Sequence, residues 1–362
     1  MDIDGEKVFS HTIILEEHDE RNVFDVLNQD MDLDYQIFDI GIFVNGVSGH
    51  YPKEFGVTYN YWFMIYIDDE PITVGIGDIV VRKGMTISFV ETSMLDGTDL
   101  FVNSLIYAYM DQYFINFVDF QVSDHHIFAA YAQLWKNGYL SESLNDLQSD
   151  APAPLPNRST IASTFKTLVI ESAYALSIEA SQLVLLSMNP ENHYEAISYL
   201  NSLTLLEEEI TDINTTVDLI LSGLPMFMDA DYAGMSLLSL SPYKEQAGVG
   251  IFIDDMIAYI KNHQTNEGIE SWGSSNSAST AMVVIGLVAQ GLNPRSSDFT
   301  IEDVDLIEAI MAYEMDGAFK WDMASTSADH AFATPQVVAA LVSYKIFRDT
   351  WGNPPVHLFN LN

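Results

Sequence analysis

The chain of 362 residues contains no cysteine. That absence excludes disulfide frameworks, thiolate metal sites and cysteine nucleophiles. Basic residues are scarce too: 14 Lys and Arg stand against 52 Asp and Glu, a formal net charge of −38. A field of that sign repels nucleic acid and anionic membrane surfaces, so neither is expected as a partner. It suits a salty or Ca2+-containing exterior or a halophilic host, and it is equally what a plain solvated acidic surface gives. No run reaches the roughly 18 apolar residues of a membrane span. Met1-Asp2-Ile3-Asp4 lacks the pattern of a signal peptide. No P-loop, glycine fingerprint or Ser/His/Asp order occurs. What the chain does have is apolar mass, 48% of its residues, enough for two cores.

Much of that mass is written as a repeat. Asp229–Tyr243, Asn276–Gly291 and Ser327–Tyr344 each open on polar or small residues and continue in Ala, Met, Val and Leu at helical spacing. Two further apolar helical stretches, Ile251–His263 and Val304–Tyr313, lie between them. Each of these leads through a turn to an aromatic, by Gln264-Thr265-Asn266-Glu267-Gly268 to Trp272 and by Asp316-Gly317-Ala318-Phe319 to Trp321. A period of roughly 45–50 residues, one helix pair per unit, marks a helical-repeat architecture. Inner helices apolar nearly all round would alternate with amphipathic outer ones in an α/α toroid.

These turns resemble the repeats of terpene cyclases and protein prenyltransferases. The stretches Asp231–Tyr243, Asn276–Pro294, Asp316–Phe319 and Ala333–Tyr344 are more similar to the transcobalamin and intrinsic factor family with its bacterial secreted relatives, a non-catalytic branch of that fold. Without cysteine, the prenyltransferase zinc site and the thioester of complement-like toroids are both missing.

Residues 1–97 read differently. Val8–Leu15 alternates like a strand, Asn22–Leu27 reads as a short helix, and Ile37–Val44 as a strand ending at an Asn45-Gly46 hairpin signal. Tyr61–Ile67 is a third strand closed by Asp68-Asp69, and Gly75-Ile76-Gly77-Asp78 leads through Lys83-Gly84 to a strand at Thr86–Val90. The succession suggests a β-grasp-like module. Tyr61-Trp62, Gly75-Ile76-Gly77-Asp78 and Lys83-Gly84-Met85-Thr86-Ile87 resemble the small β-domain of transcobalamin, with Met85 where an acidic residue is usual. That domain comes last in the family and first here.

The middle of the chain is less patterned. Leu100–Phe120 spaces its apolar residues as one helix or two. Ser123-Asp124 opens a helix that runs to Gly138 and resembles the first inner helix of the toroid family. Ala151–Pro156 is an extended low-complexity loop. Helices are expected at Thr164–Met188, His193–Leu203 and Ile213–Leu221, about eleven in all.

The fold expected is therefore α+β in two domains: a β-grasp-like domain at 1–97, an α/α toroid of the α6/α6 type at 98–350, and a tail at 351–362. Inner helices of a toroid converge their N-termini on one rim, where unpaired N–H groups and polar side chains meet. Asp231, Asn276, Ser279 and Gln336, with Asp124 from the first inner helix, point to that mouth, or serve only as caps. The resemblance implies that residues at these positions contact a corrinoid, and that the β-domain closes over it with Tyr61, Trp62 and the Gly75-Ile76 turn. Amide-rich ligand edges suit Asn276 and Gln336, and Trp offers a stacking surface. Arg82, Lys83 and Lys320 are the cations available to a ligand phosphate.

Other chemistry is weaker. Asp229-Ala230-Asp231-Tyr232 is the DxDD acid motif of a class II terpene cyclase with Tyr in place of its last carboxylate. Asp254-Asp255 has no second acidic motif to hold Mg2+–diphosphate. His125 and His126, adjacent on a helix, point about 100° apart and share one ion poorly. His330 is a weak metal candidate beside Asp329, and otherwise a neighbour of a helix start. Trp272 and Trp321 read first as wedges between hairpins, with lining of a cavity as the alternative. The function expected is a non-enzymatic, extracellular or cell-surface protein, its export signal already removed, that captures a small molecule between its domains. A corrinoid is the first choice, and no other cofactor is required. The alternatives are a non-catalytic adhesion scaffold with a cell-surface protein partner and a degenerate terpene-cyclase-like enzyme.

Overall fold

The computed structural model describes residues 2–3, 6–15, 19–38, 41–116, 124–141, 214, 217–218, 221 and 229–360. The helices expected at 164–188, 193–203 and 213–221, and the loop at 151–156, fall wholly or largely outside them. The chain divides into two compact units, Met1–Asp96 and Gly97–Asn362. The first is built of small sheets and one helix, the second mainly of helices, so the whole is mixed α+β.

In the first unit, short strands β1 (Asp2–Ile3) and β2 (Glu6–Lys7) precede helix α1 (Val23–Asp30), hairpin strands β3 (Leu33–Phe38) and β4 (Gly41–Val47), β5 (Tyr61–Ile67), β6 (Glu70–Pro71) and β7 (Ile87–Ser93). Asn22 starts α1 by accepting the Asp25 N–H at its side chain, 2.7 Å away. The main sheet runs β2-β1-β7-β5-β6, with β5 and β7 antiparallel from Tyr61↔Ser93 to Ile67↔Ile87. Val23, Val26, Phe63, Ile65, Ile76 and Phe89 are among the residues that form its core.

Three expectations fail in this unit. Val8–Leu15 is not a strand. Its alternation finds no partner, because the edge of the sheet is taken by β1 and β2, both outside that stretch. Asn45-Gly46 is not a turn but lies inside β4, and the chain reverses between Phe38 and Gly41. Gly46 is needed there for room: a Cβ would lie 2.5 Å from the Tyr51 ring. The 3-10 turn at Ile76–Asp78 buries Ile76 at 1% exposure, so its side chain belongs to the core and is not a ligand contact.

The second unit opens with α2 (Gly97–Asn116) and α3 (Asp124–Lys136), followed by α4 (Ala230–Leu240) and α5 (Val249–His263). Strands β8 (Gln264–Thr265), β9 (Gly268–Ser271) and β10 (Ser274–Asn276) form a small sheet before α6 (Ser277–Ala289). Hairpin β11–β12 (Thr300–Ile301, Val304–Asp305) then leads to α7 (Leu306–Met311). Hairpin β13–β14 (Glu314–Met315, Ala318–Phe319) leads to α8 (Ala333–Asp349). Helix α6 packs on α4 and on α8, and α8 packs on α3. Every residue of α6 is buried, as are Ala333–Phe347 of α8, whereas α5 and α7 lie outside them.

Helices α4 and α6 run parallel and nearly touch backbone to backbone. A Cβ on Gly234 would stand 2.5 Å from the Met282 carbonyl oxygen, and one on Gly286 would press on the Gly234 carbonyl. Further along, Gln290 Nε2 donates to the Leu237 carbonyl at 2.6 Å. The repeat is also visible in its joints. Ile269 N–H donates to Thr280 Oγ1 and Phe319 N–H to Thr334 Oγ1, both at 2.9 Å. In these two repeats a threonine in the first turn of the buried helix receives the strand of the hairpin before it.

Two helices are shorter than their apolar patterns. The expected start of the last inner helix at Ser327 moves to Ala333, because Asp329 Oδ1 holds the Ala331 and Phe332 N–H groups in a turn. Pro335, which lacks an N–H, fits only in a first turn. The helix expected at Val304–Tyr313 narrows to α7, since Val304 and Asp305 pair in a hairpin and Asp305 with Glu308 forms a capping box.

Few cations serve this unit, and three are spent inside it. Asp99 accepts Tyr344 Oη–H at 2.8 Å and lies 3.2 Å from Arg295 and 3.3 Å from Arg348. Arg295 also holds Asp305 at 2.7 Å. Lys345 and Asp349, 0% and 1% exposed, pair at 2.9 Å beneath the Tyr139 ring. Residues 351–360, expected as part of a tail, pack back instead: Val356 and Leu358 are buried, and Gln133 Nε2 donates to the carbonyls of His357, Leu358 and Asn360.

Candidate functional site

Because the inner helices α4 and α6 are parallel, their N-termini share one end of the unit. Asp229 caps α4, its Oδ1 accepting the Tyr232 N–H at 2.8 Å. Asp231 follows in the first turn, where the helix dipole favours an anion. Neither carboxylate meets a Lys or Arg among the described residues.

The tip of the β9–β10 hairpin reaches over that helix start. Trp272 Nε1 donates to Asp231 Oδ2 at 2.8 Å, while the ring itself stays 66% exposed. Trp272 has φ 58°, in the left-handed region, so the turn holds it in a backbone state that costs a non-glycine residue about 1 kcal/mol or more. The wedge role expected of Trp272 is thus overturned: it stands exposed at the hairpin tip. Trp321 follows the next hairpin, at the place that Ser271 takes in this one. Its carbonyl accepts the Ser277 N–H at the start of α6 (2.9 Å), and its ring centroid lies 5.6 Å from that of Phe332.

Burial pushes the Asp231 carboxyl up to about 6, the Trp272 N–H holds it down in part, the nearby charge of Asp229 raises it, and the Ser279 hydroxyl offsets some of the rise. Burial raises Asp229 as well, against the N–H groups of Tyr232 and Asp231. Ser279 Oγ stands close to Asp231 without an ordinary hydrogen bond. Ser279 Oγ, Ser271 Oγ and Gln336 Oε1 are among the buried polar atoms with no hydrogen-bond partner among the described residues. Buried polar groups are overwhelmingly paired, so these three, near the starts of α6 and α8, call for an explanation.

The other sequence candidates divide sharply. Asn276 is fully buried and its side chain is spent on structure: Oδ1 accepts the Ser279 N–H at 2.8 Å and Nδ2 donates to the Ser271 carbonyl at 3.1 Å. It caps α6 and ties the helix start to the hairpin before it. Gln336, 7% exposed, keeps a free acceptor in the first turn of α8. Asp124 begins α3, but its side chain lies outside the described residues. His330 is exposed, and no group of three metal-ligating side chains occurs among the described residues. His126 is buried, its ring 5.7 Å from Phe359.

In the first unit, Tyr61 and Trp62 are consecutive in β5 and so point to opposite faces. Tyr61 shares the face of Phe63 and Ile65, so the two cannot both meet one ligand. Gly75 is half-buried at the start of the Ile76 turn. Arg82 is paired with Asp68. Ser271 and the exposed position of Trp272 were missed from sequence. The signal was the Ser-Trp-Gly string just before the Asn276 cap, where a bulky residue ahead of glycine marks a turn tip.

No described helix is long and apolar enough to cross a membrane. No curated protein and no solved structure matches the chain. Residues 20–92, inside the first unit, match a family model described as a domain of unknown function (DUF4430).

Proposed function

We propose that this chain is an extracellular or cell-surface protein that captures a small molecule at the mouth formed by the starts of its inner helices, and that the ligand is a corrinoid. The fold assigned with it is an α/α toroid preceded by a β-grasp-like domain, similar to transcobalamin with the order reversed. Supporting the toroid, α8 packs on both α6 and α3, as the last inner helix of a ring packs on its neighbour and on the first.

The observation that carries the reading is the set of buried polar atoms without a partner among the described residues, Ser271 Oγ and Ser279 Oγ near the exposed Trp272 tied to Asp231 and Gln336 Oε1 in the first turn of the next buried helix. Leaving such an atom unpaired costs about 1–3 kcal/mol, a cost that a ligand rich in amides would remove. An acid-initiated cyclase is disfavoured, because Tyr232 stands where a further carboxylate would help to set the acid. Calorimetric titration with cyanocobalamin and its base-free precursor tests the reading. Submicromolar binding supports it, and absence of heat from the folded protein with either removes the corrinoid.

A second reading, a non-catalytic surface scaffold, draws support from Asn276, whose side chain is wholly committed to capping. Under it, the mouth residues hold the repeats together and the acidic surface meets cations or a partner protein.

A further inference from the structure

We propose that the corner made by Asp231, Trp272 and Ser279 is the specificity-determining part of the mouth: it receives a donor nitrogen, the N–H of an ammonium or carboxamide group, against the Trp272 indole, and it rejects carboxylates. The inference rests on the small-molecule capture proposed above and names the chemistry that the site selects.

The corner is rich in acceptors and poor in donors. A carboxylate offers about four lone-pair positions, and among the described residues the one side-chain N–H that reaches Asp231 is the Trp272 indole. Asp229 adds a second anion two residues away, bound only by backbone N–H groups. Ser279 Oγ, fully buried, stands beside the carboxylate to which it can give its proton, and its lone pairs meet no donor among the described residues. One inner helix on, Gln336 Oε1 is a further acceptor without a donor.

The indole has the matching character. Its N–H is consumed by Asp231, which fixes the ring, and its face is left to solvent. An aromatic face attracts cations and N–H donors and repels anions. The chain's field of −38 acts the same way at longer range. An entering carboxylate would meet two anions with no cation to balance them, whereas a donor nitrogen supplies what Asp231, Ser279 and Gln336 lack.

The test uses the full chain labelled with 15N at the indoles. The Trp272 Nε1–H resonance is identified by its loss in Trp272→Phe and followed during titration with three probes that share one ring: phenethylammonium, 3-phenylpropionamide and 3-phenylpropionate. The first two should shift it saturably, separating the charged from the neutral donor by their relative strength, and the carboxylate should leave it in place. Asp231→Asn, which keeps an acceptor for the indole, should weaken the ammonium response at least tenfold with unchanged circular dichroism. An equal or larger shift by the carboxylate, or no shift by any probe, overturns the inference. A response to the donor probes without corrinoid binding upholds it and removes the corrinoid instead.

Discussion

The indole nitrogen of Trp272 lies 2.8 Å from Oδ2 of Asp231, so a hairpin tip is tied to the first turn of the inner helix before it. The burial of that carboxyl, only partly offset by the indole N–H, sets a pH dependence of stability. The Asp231 carboxyl moves from 3.8 to about 6 on folding. Between those values the folded chain binds more protons than the unfolded one, and stability falls as pH rises through the window. Two pKa units at about 1.4 kcal/mol each bound the loss at roughly 3 kcal/mol, and the residual exposure of the side chain reduces it to about 1–2 kcal/mol. Asp231→Asn should therefore gain on the wild type between pH 4 and 7. Urea midpoints measured across that range would contradict this if the two profiles stayed parallel.

The threonine joints should behave as a matched pair. Thr280→Val and Thr334→Val each orphan a buried backbone N–H, of Ile269 and of Phe319. Each should cost about 1–3 kcal/mol, and the double variant close to the sum, because the joints belong to different repeats. A near-zero effect at either position in chemical denaturation would break the equivalence of the repeats.

Gly234→Ala should be among the most damaging single changes. The added methyl meets the backbone of α6, which cannot move aside as a side chain would, and overpacking of this kind costs about 1–3 kcal/mol or more. Gly317→Ala is the control: its Cβ would meet nothing, leaving only the strain of a positive φ. Thermal melts that ranked Gly317→Ala as the worse of the two would refute the close helix contact.

The Lys345–Asp349 pair is almost wholly out of solvent. Lys345→Met leaves Asp349 buried with the Tyr139 hydroxyl and Arg348 as partners, and should cost about 3–5 kcal/mol. Adding Asp349→Leu to it should restore part of that loss. A single variant as stable as the wild type would mean that the pair does not hold α8 in place.

The repeats were legible because an inner helix must be apolar all round, and the strings beginning at Asp229 and Asn276 say so directly. The rim was less legible. Asn276 looks like a ligand residue and is a cap, since the same polar side chain that faces a mouth also satisfies a helix start. Trp272 looks like core and is exposed, since its position depends on a left-handed turn and a hydrogen bond to a residue 41 positions away. In the first unit, alternation at Val8–Leu15 suggested a strand, yet a strand needs a free edge, and sequence does not show which edges are taken. The split of Tyr61 from Trp62 was readable from the two-residue period alone.

The central claim is capture of a small molecule at the helix mouth, and calorimetric titration of the full chain with the base-free corrinoid cobinamide tests it most directly. Gln336→Leu, which removes an orphaned acceptor and should fold at least as well, is titrated beside it. The account predicts submicromolar binding by the wild type and at least tenfold weaker binding, about 1.4 kcal/mol, by the variant. Absence of binding by a folded wild type, or equal binding by both, would contradict it.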